Sequence, residues 1–193
     1  MKALIMTMVY NESFWLKLWV DYYGRQVGYR NLFVIDHGSD DGSLDALPKK
    51  VGRVRLPREA GMNELRRARA VTRMQQSFLQ YYDAVIYSDA DEFICPDPEK
   101  YDGLLDYLKQ DNRQNISPLG FNVVQKLSCE EALDDSQKFL AQRRYCSFSP
   151  AMCKPIVNKR SVVFGQGFHS STASPNICSD LFLFHFKDFS NII

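Results

Sequence analysis

The chain lacks an excess of charge of either sign. Its 193 residues carry 24 Lys and Arg against 23 Asp and Glu, a formal net charge of +1. No overall field therefore draws it to nucleic acid or to an anionic membrane, and any basic patch is local. It also lacks an uncharged apolar stretch of the roughly 18 residues that a membrane span requires. The opening MKALIMTMVY has a short apolar run with no small-residue cleavage site behind it, which argues for a first strand and against a signal peptide. Cysteine is sparse: Cys95, Cys129, Cys146, Cys153 and Cys178 are odd in number and form no CxxC pair. That pattern argues against a zinc site or a disulfide framework and predicts a reduced, cytoplasmic protein, peripheral to a membrane at most. There is no GxGxxG behind a strand and no GxxxxGK[ST], so dinucleotide and P-loop chemistry lack their phosphate cradles. The late GQGFHSS opens no helical pattern. VYNESFW, behind the first apolar run, has no glycine, which removes a sugar-nucleotide nucleotidyltransferase.

What is present suits one globular core. Hydrophobic residues make up 45% and charged residues 24% of the chain, and 13 Phe with 10 Tyr supply core volume, so a single domain over residues 1–193 is expected. The chain stops at DFSNII, soon after an apolar run, and is also readable as a module cut from something longer.

The first half alternates short apolar runs, polar turns and helical spacing, which favours βαβ units. Lys2 to Val9 reads as a strand buried on both faces. Asn11 or Ser13 caps a helix in which Trp15, Leu18, Trp19 and Tyr22 share a face, and Gly24 or Gly28 ends it. Leu32 to Ile35 is a second strand running into DHGSDDGS, a turn that leaves Asp36 at the strand's C-terminal end. Val51 to Leu56 is a third. Leu65, Ala68, Val71, Met74, Phe78 and Tyr82 predict a long helix from Asn63 to about Tyr82, studded with Arg66, Arg67, Arg69 and Arg73. Ala84 to Tyr87 is the fourth strand. The second half is less regular: a helix at Tyr101 to Lys109, a turn at Pro118-Leu119-Gly120 and a strand at Phe121 to Val124. A loop and helix are expected in CEEALDDSQKFLAQRR. Short strands, in part antiparallel additions, are expected at Ile156-Val157, Val162 to Phe164 and Leu181 to Phe184.

The fourth strand ends in SDADEF, which sets Asp89, Asp91 and Glu92 together. Like charges this close repel, so a cation or a proton must offset the cost. If the segment is extended, Asp89 and Asp91 share a face, and two hard oxygen ligands at that spacing suit Mg²⁺ or Mn²⁺. The competing reading is that acidic residues merely end the strand and cap the next turn. In a parallel sheet ligands bind beyond the carboxyl ends of the strands, the edge that also collects Asn11 with Glu12 and Asp36 with His37.

These features resemble the GT-A glycosyltransferases, in particular the family 2-like group: Asn11-Glu12 after the first strand, Asp36 in its DHGSDDGS turn, an Arg-rich helix, and the DxD at Asp89-Ala90-Asp91. The resemblance covers residues 1 to about 95 well and the remainder thinly. It implies a three-layer α/β/α sandwich with a mostly parallel central sheet, a nucleotide-binding half at 1–95 and an acceptor half at 96–193. It further implies transfer of a sugar from a nucleotide-diphosphate donor, a UDP- or GDP-sugar, to a hydroxyl of a glycan or lipid-linked acceptor in surface glycan biosynthesis, assisted by Mn²⁺ or Mg²⁺.

Carried onto this sequence, the resemblance assigns Asn11, Glu12, Asp36, Arg69 and Asp89 to the donor, and Asp89, Asp91 and a late histidine, His169, to the metal. Arg69 is equally readable as a solvated helix residue. His185, alternating with apolar residues in FLFHFKDF, reads as a strand histidine with a structural hydrogen bond. Lys154 either pairs with phosphate or lies on the surface. Inverting transfer, the family norm, needs a carboxylate base; the usual Glu-Asp pair has no clear counterpart here, and among Glu130, Glu131, Asp134 and Asp135 the expectation falls on Glu131 and Asp135. Two other readings stand beside the transferase. A metal-dependent phosphohydrolase would use Asp89, Asp91, His169 and His185 to activate water, and a noncatalytic nucleotide- or glycan-binding module would carry a degenerate core.

Overall fold

The computed structural model describes residues 1–58, 61–134 and 137–186. β1 (Ala3–Val9) is buried along its whole length, as an apolar run covered on both faces should be. α1 (Ser13–Val27) buries Trp15, Leu18 and Trp19 of the expected stripe, while Tyr22 is half-buried and the neighbouring Tyr23 is buried. It runs through Gly24, where a Cβ would meet the Tyr29 ring at 2.4 Å, so this glycine serves close packing. Gly28, at φ 86, is the residue that ends the helix, in a conformation that favours glycine.

β2 (Leu32–Asp36), β3 (Gly52–Arg55) and β4 (Ala84–Tyr87) join β1 in parallel, β2 and β4 flanking it and β3 outside β2. α2 (Glu64–Phe78) leads into β4 and is capped by Asn63, whose side chain accepts from Arg66 N at 2.9 Å. The chain thus moves outward from β1 to β3 and returns to the far side of β1 for β4. With right-handed crossovers, that reversal puts α1 and α2 on opposite faces. It also opens a crevice at the C-terminal ends of β1 and β4. α2 stops earlier than Tyr82, and its buried face is Ala68, Val71, Thr72 and Gln75 while Leu65 is exposed.

The second half extends the same sheet with β5 (Glu92–Pro96), β6 (Asn115–Val124), β7 (Tyr145–Phe148), β8 (Val157–Asn158) and β9 (Ile177–His185), and adds α3 (Leu104–Gln110). Strand order is β3-β2-β1-β4-β8-β6-β9-β5, with β7 paired to β6. β8 is antiparallel to β4 and β6, and β9 is parallel to β6 and antiparallel to β5. The result is the α/β class expected, a central sheet with a parallel nucleus and antiparallel additions.

Several local expectations are corrected. Pro118-Leu119-Gly120 is no turn; it lies inside β6 at a register shift between Pro118 and Leu119, an irregularity of the kind that admits proline in a strand. Gly120 is required there because a Cβ would lie 2.3 Å from the Met152 backbone. Between residues 129 and 144 the one helical piece described is a 3-10 turn at Phe139–Gln142. Val162 to Phe164 is not a strand; Phe164 forms an isolated bridge with Ser171. β7 is exposed at all four positions and so carries no burial pattern for a sequence reading to find.

Candidate active site

β4 delivers the acidic cluster into the crevice. After Tyr87 the chain is not extended: Glu92 N donates to Asp89 O at 3.0 Å, closing a turn at Ala90 and Asp91 from which β5 departs. The two aspartates therefore diverge instead of sharing a face.

Asp89 points inward. Its Oδ1 accepts from the Arg67 guanidinium of α2 and, at 2.8 Å, from the Tyr87 hydroxyl, while Lys154 Nζ lies 3.5 Å from Oδ2. Lys154 also sits 2.5 Å from Glu92 Oε1, and only 4% and 1% of these two side chains is exposed. Burial alone would raise the Asp89 carboxyl, but the Arg67 and Lys154 charges and the Tyr87 hydroxyl outweigh it and hold Asp89 below the usual carboxylate range. Burial and the Asp89 charge push Glu92 up, whereas Lys154, which burial would lower, is raised by those same two carboxylates. With an ammonium against Oε1 and a second anion close by, the state the geometry supports is a charged Lys154 between two carboxylates. The repulsion in the acidic cluster is thus offset within the chain, by Lys154 and Arg67.

Asp91 points the other way. Its Oδ2 lies 3.4 Å from His185 Nε2, because the β5–β9 register sets Glu92 opposite His185 and brings the turn beside it. His185 Nδ1 lies 3.0 Å from Asn122 Oδ1 across the β6–β9 pair. An amide oxygen only accepts, so Nδ1 carries the proton and, in the neutral ring, Nε2 presents a lone pair to the carboxylate. Two lone-pair donors facing each other call for a proton or a metal ion between them. Among the described residues no three His, Cys, Asp or Glu side chains group closely enough to hold a metal alone. A hard divalent cation does not need that many, since it commonly takes one or two protein ligands and completes its shell with phosphates and water. The Asp91–His185 pair fits such an ion.

Around these groups is a cleft of about 560 Å³, lined among others by Tyr10, Glu12, His37, Arg67, Lys154 and His169. Glu12 stands at the N-terminus of α1 without capping it. Burial first, and then the facing Asp91 and Asp41 carboxylates, raise its pKa. His169 Nδ1 lies 2.7 Å from Ala151 O, so here too Nδ1 holds the proton and Nε2 is the acceptor. Burial and the neighbouring Arg58 and Arg67 lower His37; its Nδ1 lies 3.4 Å from Arg58 Nη1, and Arg58 stacks on the Tyr10 ring at 3.4 Å.

No protein-family model matches the sequence, and no curated protein matches it. Solved structures do share the architecture. The crystal structure of S. aureus TarS, residues 1–349, superposes with a TM-score of 0.56 over 96% of this chain and 60% of that one, at 14% identity. The chain has the GT-A fold. A smaller likeness links it to the mannosyltransferase PcManGT from Pyrobaculum calidifontis, determined with GDP-Man and Mn²⁺, at 16% identity and a TM-score of 0.43 over 62% of this chain and 35% of that one. This chain spans 60% of the length of the first of these two chains and 35% of the second.

Within the GT-A frame the expected site residues divide. Glu12, Asp89, Asp91 and His169 line one cleft. Asn11, at φ 52, binds Asp40 instead: its Nδ2 donates to Asp40 Oδ1 at 2.9 Å and its Oδ1 accepts from Asp40 N at 3.0 Å, tying the two strand-end loops together. Asp36 is buried, accepting from Ser39 N at 2.7 Å and lying 3.5 Å from Arg55. Arg69 is exposed and does not line the cleft; the α2 guanidinium that does is Arg67. Glu131 is exposed on the 129–144 segment and also lies off the cleft, and Asp135 lies outside the described residues. Lys154 is not a surface lysine. His185 does make a strand hydrogen bond, as read, but its other nitrogen faces Asp91. Among the described residues no helix is long and apolar enough to cross a membrane.

Proposed function

We propose that the protein is a metal-dependent glycosyltransferase that moves a sugar from a nucleotide-diphosphate donor, a UDP- or GDP-sugar, to a hydroxyl of a glycan or lipid-linked acceptor in surface glycan assembly. One observation carries this reading. At the switch point of a GT-A sheet, two cationic side chains, Arg67 and Lys154, and a lone-pair couple, Asp91 with His185, line the same cleft. A diphosphate needs the former, and a divalent cation bridging to it needs the latter.

Asp91 and His185 would hold Mn²⁺ or Mg²⁺, with donor phosphates and water completing the shell; His169, the expected late ligand, lines the cleft but does not group with this pair. Bound there, the ion would supply Lewis-acid stabilisation of charge on the departing diphosphate. Arg67 gives a planar donor set suited to phosphate oxygens, and Asp89 fixes its orientation. Glu131 is no candidate for a base that must reach the acceptor hydroxyl. Among the cleft carboxylates, Asp89 and Glu92 are held in ion pairs, Glu64 lies 3.5 Å from Arg67 and Asp91 faces His185. Glu12 is the one whose oxygens have no hydrogen-bond or ion-pair partner among the described residues, and burial raises its pKa, the direction that strengthens a proton acceptor. We assign it the role of base in an inverting transfer.

The test is a melting-temperature screen of UDP, GDP, CMP and their sugar conjugates, each with Mn²⁺ and with a chelator. The expected result is one nucleotide that raises the midpoint only with metal. Stabilisation by metal alone, with no nucleotide effect, would transfer the assignment to a phosphohydrolase; a flat screen would leave a noncatalytic module.

A further inference from the structure

We propose that the outer face of α2 docks on a bilayer surface that carries anionic lipid headgroups. The charge of the chain is balanced overall but unevenly spread: between positions 49 and 73 nine Lys and Arg stand against two Glu. The fold sorts these cations. Arg53 and Arg55 turn toward the loop behind β2, where Arg53 Nη1 lies 3.5 Å from Leu44 O and Arg55 Nη2 donates to Ser39 O at 3.0 Å. Arg58 lies on the Tyr10 ring, and Arg67 turns inward to Asp89. Arg66, Arg69 and Arg73 are left on the outside of α2, and all three are exposed.

At 3.6 residues per turn, Leu65, Arg69, Arg73 and Arg66 fall within an arc of about 100°, opposite the buried Ala68, Val71, Thr72 and Gln75. The one acidic residue of α2, Glu64, is off this arc and lies 3.5 Å from Arg67. Among the described residues no ion pair engages Arg69 or Arg73. Three guanidiniums along about 11 Å of helix therefore present positive charge with no carboxylate on their own face. Apolar side chains join them: Leu65 is 40% exposed, and Met62, just before the Asn63 cap, is 51% exposed. A helix lying on a bilayer presents this mixture, cations for the headgroups and apolar groups for the acyl boundary beneath. A soluble polyanion would take the arginines and leave Leu65 and Met62 in water, so the lipid surface is the better fit. Met62 also lines the cleft, and docking through this face holds the cleft mouth at the bilayer, beside any lipid-anchored acceptor. The surface itself does not depend on what the cleft transfers, and it gives a role to Arg69, which does not line the cleft.

The test is cosedimentation with vesicles of phosphatidylcholine alone and of phosphatidylcholine mixed with phosphatidylglycerol, with heparin as a soluble polyanion for comparison. Binding is expected to the anionic vesicles only and to weaken as salt is raised. Arg69→Gln together with Arg73→Gln should lower the partition coefficient at least about tenfold, and Leu65→Ser should lower it about threefold with the salt dependence unchanged. Lys109→Gln together with Lys138→Gln, two exposed lysines on the α1 side of the sheet, removes the same charge and should change it less than twofold. All these positions face solvent, so an unchanged melting temperature confirms that each variant is folded. No binding to the anionic vesicles, equal binding to both kinds, or an equal loss in the two double variants would overturn the proposal. Heparin binding without vesicle binding, or a silent Leu65→Ser, would overturn it in favour of a soluble polyanion. None of these outcomes bears on the nucleotide screen described above.

Discussion

The ammonium of Lys154 lies 2.5 Å from the carboxylate of Glu92, with both side chains withdrawn from solvent. Taking two charges out of water is costly and is offset only by close, well-satisfied pairing. Asp89 and Arg67 extend the pair into a four-residue array that keeps the acidic cluster from repelling itself, whether or not a metal is bound at Asp91. Replacement of Lys154 by Met leaves Glu92 buried without its partner and should cost about 3–5 kcal/mol in urea unfolding. Adding Glu92→Gln should recover a large part of that loss. A single-variant cost under about 1 kcal/mol, the range of an exposed pair, would mean that water reaches the pair and that the array is not buried in solution.

Acid should unfold the protein in two stages. Asp89 is depressed in the fold, by Arg67, Lys154 and Tyr87 acting against burial, so its contribution is complete above the unfolded value of about 3.9 and is lost as pH falls through the lower folded value. His37 is also depressed, by burial and the neighbouring arginines. Below about pH 6.5 the unfolded chain therefore takes up a proton that the folded chain resists, and stability declines as pH drops. A stability curve between pH 3 and 8 should show a shallow limb near neutrality and a steeper one in acid. His37→Gln should remove the shallow limb alone; if that limb persists in the variant, another group is responsible.

How much of this was legible in the sequence depends on how local the signal is. β1, α1, β2, α2 and β4 announce themselves through burial periodicity and flanking turns, and their order is enough to predict a parallel sheet with a crevice past β1 and β4. The acidic cluster was legible by position, but the divergence of Asp89 from Asp91 was not, because it depends on a turn that only the departure of β5 explains. Lys154 lies 62 positions from Glu92, and no periodicity connects them. The choice between Arg67 and Arg69 turns on about 200° of helix rotation, and α2 has so few apolar residues that its inward face is poorly marked. His185 was readable only as a strand residue, since its meeting with Asp91 follows from the pairing of β5 with β9.

Gly120 offers a test of how the second half supports the site. A Cβ there would lie 2.3 Å from the Met152 carbonyl carbon, and Met152 belongs to the 3-10 turn Pro150–Met152 that supplies Ala151 O to His169 and runs on to Lys154. Gly120→Ala should force that turn away from β6, costing about 1–3 kcal/mol as overpacking does. It should also weaken metal-dependent nucleotide binding, although Gly120 does not line the cleft. Loss of stability with binding unchanged would show that the turn moves without carrying Ala151 and Lys154 with it.

The two aspartates of the DxD should separate in a single pair of variants. Asp89 is bound to Arg67, Tyr87 and Lys154, so Asp89→Asn removes the charge that balances two cations and should lower the unfolding free energy by about 2–4 kcal/mol. Asp91 is more exposed and its nearest charged-group partner is His185, at 3.4 Å. Asp91→Asn should therefore leave stability within about 0.5–1 kcal/mol of wild type while abolishing the Mn²⁺-dependent part of nucleotide stabilisation. The contrast is the point of the experiment. If Asp91→Asn keeps the metal dependence and Asp89→Asn loses it without loss of stability, then the metal lies on the inner carboxylate. Lys154 and Arg67 would in that case have to move when donor binds, and the cleft described here would be the resting arrangement of the site.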